Sequence, residues 1–381
     1  MIVIQGAGIS GLTLAGLLEI LGFDYLVVES APELQPIGAG IVLQRNALAV
    51  LNLFRRGDPY SHCVDIKAMV LGTPEQPNLQ SVALDASTRA AGFHRGALQQ
   101  FLIAQVPTHR LLLNRTVTRW TPSSSQLMNV ELSNGETVTA SLLVGADGIA
   151  SSIRRQLEGP PRMRNSGQWC ARTIIESHLF ERRAMEIHGG RLRLGVVPLA
   201  QQQSYVFWVR SRHDGSVMNP ASIARSLDDM GDIGRRISKQ LGPTQQWLQH
   251  PLLDLPISWG KERVVLIGDA AHAVTPNMGQ GAALGIEDAY VLAAMLASDC
   301  QSVTAQALKQ RRHSRIRTIR TLSYLMGRIA HIESPRLQRV RAELLKRSGP
   351  EHSRQAVAAW LDRFTGTMAQ FEGTPLGQSP V

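Results

Sequence analysis

Ile2-Val3-Ile4-Gln5-Gly6-Ala7-Gly8-Ile9-Ser10-Gly11 is the stretch that decides how this chain is read. A short apolar run breaks into three spaced glycines. A helical pattern follows, with Leu12, Leu14, Ala15, Leu17, Leu18 and Leu21 apolar. Gly22 stops that helix, and Tyr25-Leu26-Val27-Val28 is a second apolar run that ends at Glu29. Strand, glycine turn, helix, strand and acidic residue together form the setting in which a GxGxxG stretch binds a dinucleotide. Gly6 permits the tight turn, Gly8 lets the backbone approach a pyrophosphate, and Gly11 lets helix and strand pack closely. The helix start offers free N–H groups and a positive dipole end to phosphates. Glu29 is expected to accept hydrogen bonds from the adenosine ribose.

The chain has 381 residues, of which 44% are hydrophobic, so it is long enough for roughly two domains with an ordinary globular core. It shows no apolar run of about eighteen residues, so no transmembrane helix is expected. Nothing before the first strand resembles a signal peptide, and the cytosol is the expected compartment. Cys63, Cys170 and Cys300 are odd in number and widely spaced, which argues against a disulfide framework or a zinc site. No histidine pair has metal-ligand spacing, so no metal is expected. The net charge is +10 and is concentrated. Lys309, Arg311, Arg312, Arg315, Arg317, Arg320, Arg328, Arg336, Arg339, Arg341, Lys346 and Arg347 face only Glu333 and Glu343 between residues 301 and 350. Such a segment suits a solvated helical face, an anionic membrane surface or nucleic acid. The solvated face is the first expectation, peripheral membrane contact the second, and a nucleic-acid partner is not expected.

Further along, Pro36-Ile37-Gly38-Ala39-Gly40 carries glycines that suit close backbone approach to a ligand. Helices are expected from about Asn46 to Phe54 and from His94 to Val106, the latter with Arg95 in its first turn. Residues 58–92 read as strands with loops. Asn134-Gly135 marks a hairpin between Met128–Leu132 and Thr137-Val138. Leu142-Leu143-Val144 is a buried strand running into Gly145-Ala146-Asp147-Gly148, and Ser151 suits the cap of the helix that holds Arg154 and Arg155. From about Arg164 to Ser258 strands dominate, among them Arg193–Pro198 and Tyr205–Val209, with helices near 220–229 and 233–242. Val264–Ile267 returns to a buried strand and runs into Gly268-Asp269-Ala270-Ala271-His272. A helix from about Ala282 to Ala297 follows, and helical pattern continues to about residue 346. Gly373 to Val381 reads as a frayed tail.

Three separated turns are therefore alike, each an apolar strand followed by small residues and one carboxylate. A single ligand uses three such turns only if it is long, and FAD is long. The first turn suits its ADP half and Asp269 its ribityl hydroxyls. The helix starting near Gly281 aims N–H groups at a flavin carbonyl and stabilises negative charge on the reduced ring.

Gly6–Gly11 with Glu29, Ala146-Asp147-Gly148-Ile149-Ala150-Ser151-Ser152-Ile153-Arg154, and Gly268-Asp269 through Pro276-Asn277-Met278-Gly279-Gln280-Gly281 resemble the single-component flavoprotein aromatic hydroxylases. This is the family of para-hydroxybenzoate hydroxylase, and the likeness runs from residue 1 to about 330. Within it, Pro36 to Asn46, Arg164-Asn165-Ser166-Gly167 and Gly327 to Pro335 look most like the 2-alkyl-4-quinolone 3-hydroxylases. The resemblance implies FAD held by Gly6, Gly8, Gly11, Glu29, Arg95, Asp147, Gly148, Gly268, Asp269, Pro276, Gly279, Gly281 and Ala282. It implies that Asp147-Gly148 touches both FAD and NADH or NADPH. It also implies O2 and a small aromatic substrate as partners, with ring hydroxylation through a flavin C4a-hydroperoxide. The fold it implies is α/β: a Rossmann-like (GR2-type) FAD-binding domain at 1–163 and 259–300. An inserted, mostly antiparallel substrate sheet domain is expected at 164–258 and a helical C-terminal region at 301–381.

The chain departs from many relatives at Arg45-Asn46, where they have Pro-Asn, and at Ala283, where they have Asn. No catalytic acid or base stands out. His272 reads as a packed histidine and Tyr205 as a candidate to polarise a phenol. Trp169 and Trp208 each fit core packing first and a pocket second, and together with Phe207 they suit a mostly apolar pocket. A hydroxylase of simple phenols or hydroxybenzoates is the alternative. A flavin halogenase would need a Trp-x-Trp-x-Ile-Pro stretch that is missing, and the intact Gly-Asp motif disfavours a non-catalytic escort protein.

Overall fold

The computed structural model describes residues 1–349 except 36, 37, 125, 212–216 and 243, together with 351, 355 and 359. The Pro36-Ile37 dipeptide and the tail from Gly373 lie outside the described residues.

Ile2–Gln5 is buried at every position, which is what a strand covered on both faces requires. It pairs in parallel with Tyr25–Val28 on one side and with Leu142–Gly145 on the other, and the latter pairs in parallel with Val264–Leu266. Leu111–Leu112 and Gly260–Lys261 complete a six-stranded sheet at its two edges. Its pleat sends Ile2, Ile4, Val27, Leu142, Val144 and Val265 into one core with helices Ile9–Ile20 and Gly281–Asp299. Val3, Val28, Leu143, Val264 and Leu266 point the other way, against the antiparallel sheet of Val117–Pro122, Met128–Leu132 and Thr137–Ala140.

A seven-stranded sheet forms the second layer. Its order is Leu248–Asp254, Arg164–Ile175, Ser204–Ser211, Leu192–Pro198, Arg183–Gly189, Ala68–Gly72 and Gln80–Ala83. All neighbours are antiparallel except Arg183–Gly189 with Ala68–Gly72. One face is an apolar core of Ala171, Leu194, Val206 and Trp208 against Ile223, Leu227, Ile233 and Ile237 of helices Pro220–Leu227 and Gly231–Ser238. The other face meets the cofactor layer through Val197 and Tyr205 packed with Ala39 and Ala90.

Element ends differ from the sequence expectation in small ways. The first short helix is Arg45–Leu51, and the long apolar one is Gly281–Asp299. The C-terminal helical run is two helices, Ala305–Ala330 and Pro335–Ser348, because Pro335 lacks an N–H to continue a helix and disfavours helical backbone just before it. Gly281–Asp299 is long and apolar enough to cross a membrane, yet 78% of its apolar window is buried inside the protein, as suits a core helix.

Candidate functional site

The parallel register places Gln5 opposite both Val28 and Gly145, and Gly145 opposite Leu266. Gly6, Glu29, Asp147 and Gly268-Asp269 therefore all leave the carboxyl ends of neighbouring strands. Ligands of open α/β sheets bind at that end. Gly6 has φ +107°, and a Cβ there would lie 2.5 Å from the Ala146 carbonyl oxygen. A Cβ on Gly11 would lie 2.0 Å from the Gly6 carbonyl oxygen, so neither position admits a side chain. Gly8 and Gly148 have nothing within 4 Å of a Cβ and border open space. Between them lies a cleft of about 240 Å³ walled by Gly6, Gly8, Glu29, Asp147 and Gly148. A larger recess, about 450 Å³, sits beside Ile2, Asp24, Leu142 and Arg263. That is the amino end of the same strands, where no motif points.

Each carboxylate in the cleft is held by backbone. Glu29 accepts from the Ala7 N–H at 2.7 Å and the Ala31 N–H at 2.9 Å. Asp147 Oδ2 accepts from the Ser152 N–H at 2.7 Å and the Ser152 hydroxyl at 2.9 Å, which caps helix Ser152–Glu158. Its Oδ1 is buried without a partner among the described residues. Ser151 also caps that helix, accepting from the Arg154 N–H at 3.0 Å. Arg154 then ties the second turn to the third by donating to the Ala270 and Ala271 carbonyls, each at 3.2 Å.

Asp269 sits deep in the fold, but its side chain opens onto the groove. That depth raises its carboxyl pKa, with His272 and Arg95 opposing the rise. Arg95 likewise lies deep with an open side chain. Burial lowers its guanidinium pKa, Arg172 adds to the lowering, and Asp269 opposes it. Gly38 must be glycine: its φ is +125°, and a Cβ would lie 2.7 Å from Arg95 Cδ. Helix Gly281–Asp299 starts without a side-chain cap, and Gly279 before it is left-handed with open space around it. Pro276 is exposed, and Ala282 is half-buried in the first turn. Uncapped N–H groups, open glycines and an unpartnered Asp147 oxygen fit an elongated ligand carrying phosphates, hydroxyls and a ring carbonyl. FAD has that chemistry.

Beneath this groove lies a buried ionic network that the sequence pattern does not reveal. Asp288 accepts from the Gly268 N–H at 3.0 Å, lies 2.5 Å from His272 Nε2, and accepts from Arg312 Nε at 2.7 Å. Glu287 accepts from Asn46 at 2.6 Å, Arg315 at 2.5 Å and Arg312 at 2.7 Å. Asn46 also donates to Gln280 at 3.1 Å, directly before the helix start. Burial alone would raise the pKa of both carboxylates, but the facing charges win and hold them below the usual range: Arg312 and Arg315 for Glu287, His272 and Arg312 for Asp288. Part of the basic C-terminal segment is therefore internal, which corrects its reading as a solvated face. The one signal for it in the sequence is two adjacent carboxylates in an otherwise apolar helix.

The seven-stranded sheet turns a polar face toward the groove. Pairing of Arg172 with Phe207 and Leu248, Cys170 with His250, Ile174 with Tyr205, and Gly195 with Phe207 places these side chains on one side. A Cβ on Gly40 would lie 2.4 Å from the Tyr205 ring, so the glycine-rich loop rests on that tyrosine. Burial raises the Tyr205 pKa, although Arg172 beside it opposes the rise. Burial and the Arg172 charge push His250 down to about 4, so its imidazole is neutral at pH 7. Buried Arg193 donates to Asn277 Oδ1 at 2.7 Å and lies 3.6 Å from Glu186. Burial disfavours the Glu186 charge, but Arg193 and His188 outweigh it and hold the pKa at about 2. Arg172 Nε and Arg193 Nε are buried without partners among the described residues. Trp208 is fully buried on the opposite face, its indole N–H donating to Ser226 at 2.9 Å. Trp169 bonds Gln249 at 3.3 Å on that same side. Both tryptophans are thus removed from the pocket-lining set, and Phe207 stays in it.

A family model described as an FAD binding domain matches residues 114–322. The 2-heptyl-3-hydroxy-4(1H)-quinolone synthase of Pseudomonas aeruginosa is 34% identical, over 97% of this chain and 99% of that protein. The chain belongs to the single-component FAD-dependent aromatic hydroxylases. The aurachin C monooxygenase/isomerase of Stigmatella aurantiaca is 31% identical, over 91% of the hydroxylase and 93% of that relative. The structure of Klebsiella pneumoniae HpxO complexed with FAD and uric acid matches with a TM-score of 0.82 at 21% identity. It covers 95% of this chain and 96% of that one, and shows the shared fold. The hydroxylase is an FAD-dependent monooxygenase.

Proposed function

We propose that the enzyme hydroxylates a fused heteroaromatic ring of the 4-quinolone class, using O2 and NADH or NADPH. End-to-end similarity to the quinolone synthase carries this reading. Bound FAD would supply hydride acceptance from the nicotinamide and activation of O2, a reaction that places one oxygen atom in the ring and the other in water. The protein supplies position, charge and dryness. In this reading Gly6, Gly8, Gly11 and the helix start behind them hold the pyrophosphate, and Glu29 holds the ribose. Asp147 and Gly148 border the dinucleotide, Asp269 takes ribityl hydroxyls and Arg95 flanks it. Gly268, Pro276, Gly279, Gly281 and Ala282 shape the ring cradle, where N–H groups stabilise negative charge.

Opposite them, Arg172 donates its unpartnered N–H to the 4-carbonyl oxygen of the substrate, and neutral His250 supplies one donor and one acceptor. Phe207 and Ile174 give apolar contact. A 4-quinolone activates its own carbon beside the carbonyl through its ring N–H, so no protein acid–base pair is needed. Residues 164–258 serve mainly the substrate, with Ala68–Gly72 and Gln80–Ala83 joining their sheet, and the rest of 1–163 together with 259–300 serves the cofactor. The same reading makes the enzyme cytoplasmic, with peripheral contact between its basic C-terminal region and anionic lipid.

Labelled oxygen gas tests the activity with each nicotinamide and a panel of quinolones, phenols and hydroxybenzoates. One labelled atom is expected in a hydroxyquinolone, and nicotinamide oxidation should rise when the quinolone is added. Label entering only from water overturns the monooxygenase step. Turnover of benzoates or phenols alone overturns the quinolone assignment and favours the simple-phenol alternative.

A further inference from the structure

Twelve large apolar side chains are exposed among the described residues, and seven of them fall between Leu322 and Leu344. Leu322, Leu325, Met326 and Ile329 lie on helix Ala305–Ala330 at spacings that share one face. Leu337, Val340 and Leu344 do the same on helix Pro335–Ser348. Their exposures run from 39% to 62%. The first helix already has a core face, in which Ile316, Ile319, Ser323, Gly327 and Ala330 are buried. Among the described residues the exposed stripe is therefore a second apolar face. Aliphatic side chains grouped in this way mark an interaction site.

The rim of the stripe is basic. Arg328, Arg336, Arg339, Lys346 and Arg347 are exposed around it. Its two acidic residues are already engaged, Glu333 with Arg191 at 2.7 Å and Glu343 with Arg347 at 3.0 Å. Arg312, Arg315, Arg320 and Arg341 turn inward to carboxylates or carbonyls. What remains outside is an apolar band with a positive border, the composition of a helix that lies in a lipid interface.

We propose that these two helices dock the enzyme on an anionic lipid surface. The aliphatic stripe enters the headgroup–acyl boundary, and the arginines and lysines meet lipid phosphates. A second copy of the chain fits this face less well, since a two-fold pairing would set like charges rim to rim. The inference rests on surface chemistry and not on the identity of the substrate.

The full-length FAD-loaded enzyme is mixed with vesicles of phosphatidylcholine, with or without phosphatidylglycerol, and sedimented. Binding to the phosphatidylglycerol vesicles is expected at low salt. It should fall with added salt, since exposed charges are screened over about 8 Å at physiological ionic strength. The triple variant Leu325→Ser, Leu337→Ser, Val340→Ser should bind roughly tenfold or more weakly, because apolar area no longer leaves water. Its circular dichroism and its NAD(P)H oxidation in detergent-free buffer should match the parent. Absence of binding at low salt overturns the proposal, as does equal binding by the triple variant. A concentration-dependent dimer that the variant abolishes would also overturn it and assign the face to self-association.

Discussion

The turn-bearing edge of the parallel sheet and the polar face of the seven-stranded sheet lie on opposite sides of one groove, and they are built differently. The first acts through backbone. It has three separate turns, and in each one glycines, backbone N–H groups and one carboxylate belong to the same strand-to-helix unit. The second acts through side chains: Arg172, Tyr205, Phe207 and His250 come from three strands and meet only because the register puts them together. The first kind of site suits a cofactor through features that any chain with that turn shares. The second is free to vary at each position, and in the proposed function substrate choice resides there.

The largest effect should come from the network under the turns. Arg312→Ala leaves Glu287 and Asp288 buried with one cation fewer, and removing one partner of a buried pair costs about 3–5 kcal/mol. Denaturant titration of the FAD-free protein reads this directly. The network also sets a pH dependence. Both carboxylates ionise more readily folded than unfolded, so the unfolded chain binds more protons between the two pKa values. The stabilisation is complete above the ordinary carboxylate range, about pH 4, and is lost as pH falls below it. In Arg312→Ala the folded carboxylates are held down less, so the part of the stability that is lost on acidification should be smaller. An unchanged acid limb would separate the network from stability.

Next in size are changes at the turns themselves. Gly11→Val drives atoms into the Gly6 carbonyl and should cost about 1–3 kcal/mol together with FAD binding. Glu29→Arg and Asp269→Ala should weaken FAD without unfolding the protein, as read by flavin fluorescence titration. Wild-type affinity in either would remove that carboxylate from the cofactor site.

Arg172→Met tests the other side of the groove. FAD affinity should stay within about twofold while KM for the quinolone rises about tenfold, the equivalent of ~1.4 kcal/mol. With the cation gone, the His250 pKa should climb back toward the ordinary histidine value, visible by NMR. If Arg172→Met instead loses FAD, the two sides are one site and the comparison fails.

Trp208→Phe should have the smallest effect. It loses one hydrogen bond to Ser226, worth about 1 kcal/mol, on the face away from the groove. KM should not move. A raised KM would mean that the two faces of the sheet are coupled.

Much of the cofactor side is legible in the sequence alone. The glycines, Glu29, Asp147 and Asp269 each sit where a local strand-to-helix pattern predicts a turn, and Ser151 caps the helix it is expected to cap. Legibility fails where distance along the chain grows. Trp208 and Trp169 suit a pocket as well as a core because aromatics in apolar strands fit either face. Arg312 and Arg315 suit a surface because a basic helix gives no sign that two of its members meet carboxylates 24 to 28 residues earlier.

The sequence by itself determined the three strand-to-helix turns and the helix behind each one. Glycine conformation, strand burial and uncapped N–H groups are local properties, fixed within a dozen residues. Strand character at Arg193–Pro198 and Tyr205–Val209 was legible in the same way. Only the tertiary structure decided which face meets the groove, because period-two alternation is symmetric until another layer covers one side. It also decided which arginines are buried. An ion pair in the core exists only where packing excludes water from both partners, and no spacing along a single helix encodes that.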